Sequence, residues 1–374
     1  MPETWADALP DNLYEAARAL GERGRPDLGV ALLDREGDLT IAKADLLYLD
    51  LVLQLDDHAA LQAALHRSIE RLPERSTLPP AYVRLLCQHA QHACDEPRLE
   101  RLLQKTWKSC KADPELMAVH RAFRRRLQLR NLMRERAVPE ASLISLGLNC
   151  MPWDVPSRWG LRRPGDFVTL RSPFDNGVNK FPLVLEALQD DFARYCGVDD
   201  LQAVESQDGH LTPLRKDVRA VWNHHTGRYW VSDDFQRLRQ TMAAKAQMFR
   251  EGCRRDDAVF LVSRLNLDHP DRGMELVGRL NRGLERFTGR AHNRLMFLGE
   301  YVEATATRWL DDWTVVIDRP LPHGSYVWYV GAAVDSDEGL AHEQGIADEI
   351  AASLSRWGLT RSGEQPPALL AVSG

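Results

Sequence analysis

The chain lacks most of the features that assign a protein at a glance. Its 374 residues include six cysteines (Cys87, Cys94, Cys110, Cys150, Cys196 and Cys253), with no CxxC pair and no framework spacing. That argues against zinc or disulfide scaffolding and for reduced thiols, as in a cytoplasm. No run approaches about 18 consecutive apolar residues, so no membrane span is expected. The first twenty residues, MPETWADALPDNLYEAARAL, have neither the basic start nor the apolar run of a signal peptide. Together these imply a cytoplasmic protein. There is no GxxxxGKS/T, no GxGxxG and no HExxH, so nucleotide phosphate loops and zincin chemistry have no support. An excess of basic charge is also missing. With 48 Lys and Arg against 54 Asp and Glu, the net charge is −6, and nucleic acid is not the expected partner.

What is present is ordinary globular material: 44% apolar and 27% charged residues, in a length that suits two or three domains. The first third reads as helical. It has no glycine after Gly37, and apolar residues recur at helical spacing, as in Leu13, Ala16, Ala17 and Leu20, or Leu61, Leu65 and Ile69. Asp113-Pro114 is a helix entry signal. Helical units starting near Leu13, Ala44, Pro80 and Pro114 recur at about 35 residues, a period that suits a tetratricopeptide-like array of helical hairpins, although the consensus positions are not clearly matched. Such an array offers a surface for a protein partner, or caps the neighbouring domain. Val138-Pro139 marks a boundary, giving a helical-repeat domain over 1–137 and a second domain over 138–374.

From Ala141 strands and helices alternate, predicting a layered α/β domain with a mixed sheet. Strands are expected in ASLISLGL, DVRAVWNHH, DAVFLVSRL, RLMFLGEYV, WTVVIDRP and YVWYVGAAV. Helices are expected in FPLVLEALQDDFARY, DDFQRLRQTMAAKAQMFREGC, GMELVGRLNRGLERF and GLAHEQGIADEIAASLSRWG. Overall the fold class is α + α/β.

ISLGLNC puts Cys150 just past a short buried strand, after Gly147 and Asn149. Residues at strand carboxyl ends line the functional crevice of layered α/β domains. Backbone amides following a thiol there can lower its pKa and bind an oxyanion. A packed, unreactive cysteine fits the spacing as well.

Together, Ser145-Leu146-Gly147 with Cys150, then Gly160-Leu161-Arg162, then Pro173-Phe174-Asp175 resemble a bacterial family described as papain-like cysteine peptidases on fold and residue order. Trp222 to His225, the helix from Asp233 to Cys253 and the strand Ala258 to Leu265 resemble the later elements of that family. The resemblance covers about 141–300 and departs at Asn176, where the family has tryptophan. It implies a Cys150 nucleophile and hydrolysis of a peptide or isopeptide bond.

A cysteine nucleophile needs a base, and the base an orienting partner. His224 and His225 are the leading bases. On a strand, neighbours face opposite ways, so only one of them can meet Cys150, and His224 is preferred. His323 in RPLPHGS is the rival base. Asp318, ending WTVVID, either orients the base or is a turn residue. Asp175 either caps the following helix or supports the site, with Ser172 and Asn176 beside it. Asn149 either donates to an oxyanion or stabilises its turn. No cofactor or metal is required, and the loop bearing Asp268, His269 and Asp271 reads as a polar connection rather than a metal site. The leading function is a cysteine-dependent hydrolase. The alternatives are an acyltransferase acting on surface-polysaccharide precursors, where coenzyme A would enter, and a non-catalytic binding protein with a degenerate site.

Overall fold

A computed structural model describes residues 13–35, 42–71, 80–92, 95–110, 113–175, 177–205, 210–264, 270–300, 302–326 and 331–362. The first third is helical: α1 (Leu13–Glu22), α2 (Pro26–Arg35), α3 (Ala42–Gln54), α4 (His58–Arg71), α5 (Pro80–His92), α6 (Glu96–Cys110) and α7 (Pro114–Arg136). Sequential helices pack together, α1 on α2, α3 on α4 and α5 on α6. The turn between α3 and α4 is written in Asp56-Asp57. Asp56 adopts a left-handed φ of 55°, which aspartate tolerates better than most residues. Asp57 then caps α4, its Oδ1 accepting the Ala60 N–H at 2.9 Å. At the entry to α7, Asp113 Oδ1 accepts the Glu115 and Leu116 amides, as the Asp-Pro signal predicts.

The remainder mixes helix and sheet. Its elements are β1 (Ala137–Pro139), β2 (Ser142–Ser145), α8 (Met151–Arg158), α9 (Asp166–Thr169), β3 (Val178–Asn179), α10 (Phe181–Gln189), β4 (Leu201–Glu205), β5 (Leu211–Arg215) and β6 (Ala220–Val221). Then follow α11 (Arg228–Cys253), β7 (Ala258–Arg264), α12 (Pro270–Thr288), β8 (Arg294–Gly299), β9 (Ala306–Trp309), β10 (Thr314–Asp318), α13 (Gly331–Val334), α14 (Asp337–Arg356) and β11 (Thr360–Ser362). The main sheet has the order β2-β7-β8-β10-β9, parallel except for β9, which runs antiparallel to β10. The sheet is therefore mixed, and its parallel strands are nearly continuous apolar runs, as expected where both faces are covered. A second, antiparallel sheet has the order β3-β6-β5-β4, and β1 pairs antiparallel with β11.

Three expectations need correction. Gly331–Val334, read as the end of a strand, is the helix α13, and 327–330 lie outside the described residues. The strand expected through His225 stops at Val221, so His224 and His225 sit on a turn. The helix expected from Asp233 begins earlier, at Arg228, and is broken where Asp233, Asp234 and Phe235 take left-handed φ values.

α7 ends at Arg136 and β1 begins at Ala137, and packing joins the helical third to the remainder. Trp153 of α8 and Phe167 of α9 belong to the apolar cluster of Leu86, Leu102 and Phe123 in the helical third. Arg126 of α7 donates to the Val334 carbonyl and to Asp335, both at 3.1 Å.

Candidate functional site

The parallel strands β2, β7 and β8 end on one side of the sheet, where the loop from Leu146 to Cys150 begins. Leu146 N–H still donates to Leu261 O at 2.8 Å, continuing the ladder by one residue. Beyond it the chain turns sharply. Gly147 is required there, since a Cβ would stand 2.2 Å from the Asn149 carbonyl oxygen. Ser263 Oγ on β7 accepts the Leu148 and Asn149 amides at 3.1 and 3.2 Å, pinning the loop to the sheet.

Cys150 is the residue before α8. Pro152 enters the first turn of that helix without an unsatisfied N–H. Pro156 inside it cannot bond the Pro152 carbonyl, and Arg162 Nη2 takes that oxygen instead at 3.3 Å. The far end of α8 is clamped to α14. Arg158 Nε and Trp159 Nε1 donate to Glu343 Oε2 at 3.2 and 2.9 Å, and Arg158 Nη2 to Oε1 at 2.5 Å.

The small sheet brings in the partner. β3 pairs with β6, Val178 opposite Val221, so Gly177 and the turn after β6 meet at one end. Asn179 N–H donates to Leu148 O at 3.0 Å, tying this sheet to the cysteine loop. The result is a contact across 74 residues: Cys150 Sγ lies 3.3 Å from His224 Nε2. The thiol donates to that nitrogen when Nδ1 carries the ring proton. The Gly177 backbone N–H, near the sulfur, favours the thiolate, but burial outweighs it.

Both partners are neutral. Burial, with the Asp154 carboxylate second, pushes the Cys150 thiol up to about 12. The lowered thiol pKa expected after the strand is therefore not found. Burial lowers His224 as well, opposed chiefly by Asp154 and Asp56. Asp154 sits one turn along α8 from Cys150, its amide donating to Cys150 O at 2.9 Å. Sequence reasoning passed over it, and its only signal was the i, i+4 spacing from the thiol.

His225 points the other way. Its Nε2 lies 2.9 Å from Asp56 Oδ2, and its ring packs edge-to-face on Trp230 at 4.6 Å. Asp56 also pairs with Lys245 at 2.5 Å and His58 at 2.7 Å.

The remaining candidates fall in two groups. Asp175 is fully buried near the thiol, but it caps its own turn rather than a helix. Its Oδ2 accepts from Ser172 N at 2.7 Å and Arg171 Nε at 2.9 Å, while Ser172 Oγ accepts from Phe174 N at 3.2 Å. Asn149 Oδ1 accepts the Met151 N–H and its Nδ2 donates to Glu300, both at 3.1 Å, so the turn role is the one observed. Asn176 lies outside the described residues. Asp318 is not brought to the site. It ends β10, three strand positions from β2 (about 14 Å), and pairs with Arg308 at 2.7 Å. His323 is half-exposed, and its Nδ1 lies 2.8 Å from Ser325 Oγ. The amides expected to bind an oxyanion are occupied: Met151 N–H by Asn149, Trp153 and Asp154 N–H by the Cys150 carbonyl, while Pro152 has none.

No family model, curated protein or solved structure matches this chain. Among the described residues no group of three or more His, Cys, Asp or Glu could hold a metal ion, and no helix is long and apolar enough to cross a membrane. Asp268 and His269 lie outside the described residues.

Glu300, next to the end of β8, was not singled out by sequence. It is 1% exposed, Oε1 takes the Asn149 amide, and Oε2 has no hydrogen-bond partner among the described residues. Burial pushes its carboxyl up to about 7, with the Asn149 bond opposing. The folded state therefore favours the neutral acid, and stability is lost as pH rises from the unfolded carboxyl value of about 4.3 towards 7. Glu300→Gln keeps an acceptor for Asn149 and removes the charge. It is expected to stabilise the protein by about 2–3 kcal/mol at pH 8 and by little at pH 4, measured by urea unfolding.

Proposed function

We propose that the chain is a cysteine-dependent hydrolase in which Cys150 is the nucleophile and His224 the base. The observation that carries this reading is the 3.3 Å contact between Cys150 Sγ and His224 Nε2. His224 Nε2 takes the thiol proton as the sulfur attacks an acyl carbon, then returns it to the leaving group. Water, activated by the same nitrogen, hydrolyses the thioester and restores the thiol. The Gly177 N–H, which favours negative charge on the sulfur, is the oxyanion donor in this reading. Because both groups start neutral, the proton moves during attack rather than before it.

A cavity of about 1390 Å³ reaches the pair at His224. It is lined by His224, Gly227 and Arg237 from one side and by Arg25, Asp50 and Gln54 of the helical third from the other. The array thus forms a wall of the substrate cleft while its outer faces remain for a protein partner. Cys87, Cys150, Cys196 and Cys253 are free thiols, which supports a reducing compartment such as the cytoplasm.

The test is the iodoacetamide alkylation rate of Cys150 from pH 5 to 10, followed by mass spectrometry, alongside turnover of peptide and ester substrates. Wild type is expected to react at a rate set by His224 and to turn over. His224→Ala is expected to lower turnover by about 10²–10⁴-fold, and Cys150→Ala to abolish it. A slow thiol indifferent to His224→Ala would instead identify a non-catalytic binding module, the reading favoured by the occupied amides after Cys150.

A further inference from the structure

Besides the thiol and its partner, the molecule buries a second polar cluster that the proposed chemistry does not use. It joins the two halves of the chain. Asp56 comes from the turn between α3 and α4, His58 from the start of α4, His225 from the turn after β6, and Lys245 from α11. Arg171 adjoins His58 and bonds Asp175. Its ion pairs are Lys245 with Asp56 and Arg171 with Asp175.

We infer that Asp56 is a positioning residue for His224: by holding His225, it fixes the turn that aims His224 at Cys150. The inference rests on the reading of Cys150 and His224 as the working pair. The turn is short. His225 N–H donates to Trp222 O at 3.0 Å, and its ring is 0% exposed between Asp56 and Trp230. Trp230 is held from the same segment of the array, its Nε1 donating to Gln54 O at 3.1 Å. The edge-to-face His225 and Trp230 rings are therefore anchored by Asp56 and Gln54. With His225 committed to Asp56, its neighbour emerges on the opposite side, where Sγ lies. The helical third thereby reaches the site through the backbone turn that joins His225 to His224.

The decisive variant is Asp56→Asn with Lys245→Met, which removes both charges together and leaves no buried ion alone. In the full-length folded protein we expect Cys150 alkylation at pH 7.5 to slow at least tenfold, and the ring 15N shifts of His224 to move. A second variant, His225→Leu, leaves Asp56 paired with Lys245 and His58 and removes only the link, and the same changes are expected. Wild-type rate and wild-type His224 shifts in either folded variant overturn the inference. If wild-type alkylation is already indifferent to His224→Ala, the working-pair reading fails on its own. The His224 ring shifts then decide the role of Asp56: displaced in the variants they uphold it, unmoved they overturn it.

Discussion

Lowering the pH from 7 to 5 is expected to cost this protein about 3 kcal/mol of stability, the loss at its buried histidines exceeding the gain of about 2 kcal/mol as Glu300 takes up its proton. His58, His89 and His225 are each lowered by burial from the usual value near 6.5 to about 4. For His58 the Arg171 guanidinium adds to burial, for His89 the neighbouring His58 does, and for His225 the bond to Asp56 opposes it. The folded state therefore binds fewer protons than the unfolded chain between about pH 6.5 and 4. The stability these groups contribute is fully present above pH 6.5 and is lost as pH falls towards 4. Each histidine accounts for about 2 kcal/mol between pH 7 and pH 5. His58 and His225 share Asp56, so their protonations are linked and the three do not simply add. Urea midpoints measured at half-unit pH steps should fall steeply through this window and flatten above pH 7. A midpoint independent of pH between 7 and 5 would show that these rings are solvated.

The second large effect is expected at Glu343. Its carboxylate is 1% exposed and receives three hydrogen bonds, two from Arg158 and one from Trp159. Arg158 holds the carboxylate below its ordinary value against the opposing effect of burial. Removing one member of such a pair strands the other charge in the interior, which costs about 3–5 kcal/mol. Glu343→Ala should therefore lower stability by about that amount in denaturant titration. Glu338→Ala on the same helix, at an exposed carboxylate, should stay within about 0.5 kcal/mol. Because α8 begins just after Cys150 and ends at Arg158, Glu343→Ala should also loosen the thiol's end of the site, raising hydrogen exchange in 151–158. Equal stabilities for the two variants would show that α8 is held by its apolar face alone.

The elements visible in the sequence are those whose apolar pattern is long. The runs that become β7, β8 and β10 are buried on both faces and announce themselves, as does α10 with Leu183, Val184, Ala187 and Leu188 turned inward. The elements that were missed are short or solvated. β3 has two residues, and the β4–β5 hairpin is largely exposed on β4 and carries Pro213 on β5. The cysteine loop was legible because glycine, asparagine and cysteine follow a strand. The reason for preferring His224 was not legible. Alternation of side chains holds on a strand, whereas a turn separates these two rings. Asp56 and Asp154 were invisible as site residues, since charges on a helix end or first turn look like ordinary solvated groups until a neighbouring element covers them. Asp318 misled for the converse reason. A strand's last residue lies at the crevice end of the sheet, but position across the sheet decides which crevice residues meet.

The helical third and the α/β remainder share Trp153, Phe167, the Arg126–Asp335 pair and the Asp56–Lys245 pair. What looks modular along the chain is thus a single unit of inheritance. The α/β half cannot be transplanted onto another helical partner without bringing with it the surface that buries its tryptophan and neutralises its lysine. A change on either side of that seam is therefore felt by the other half.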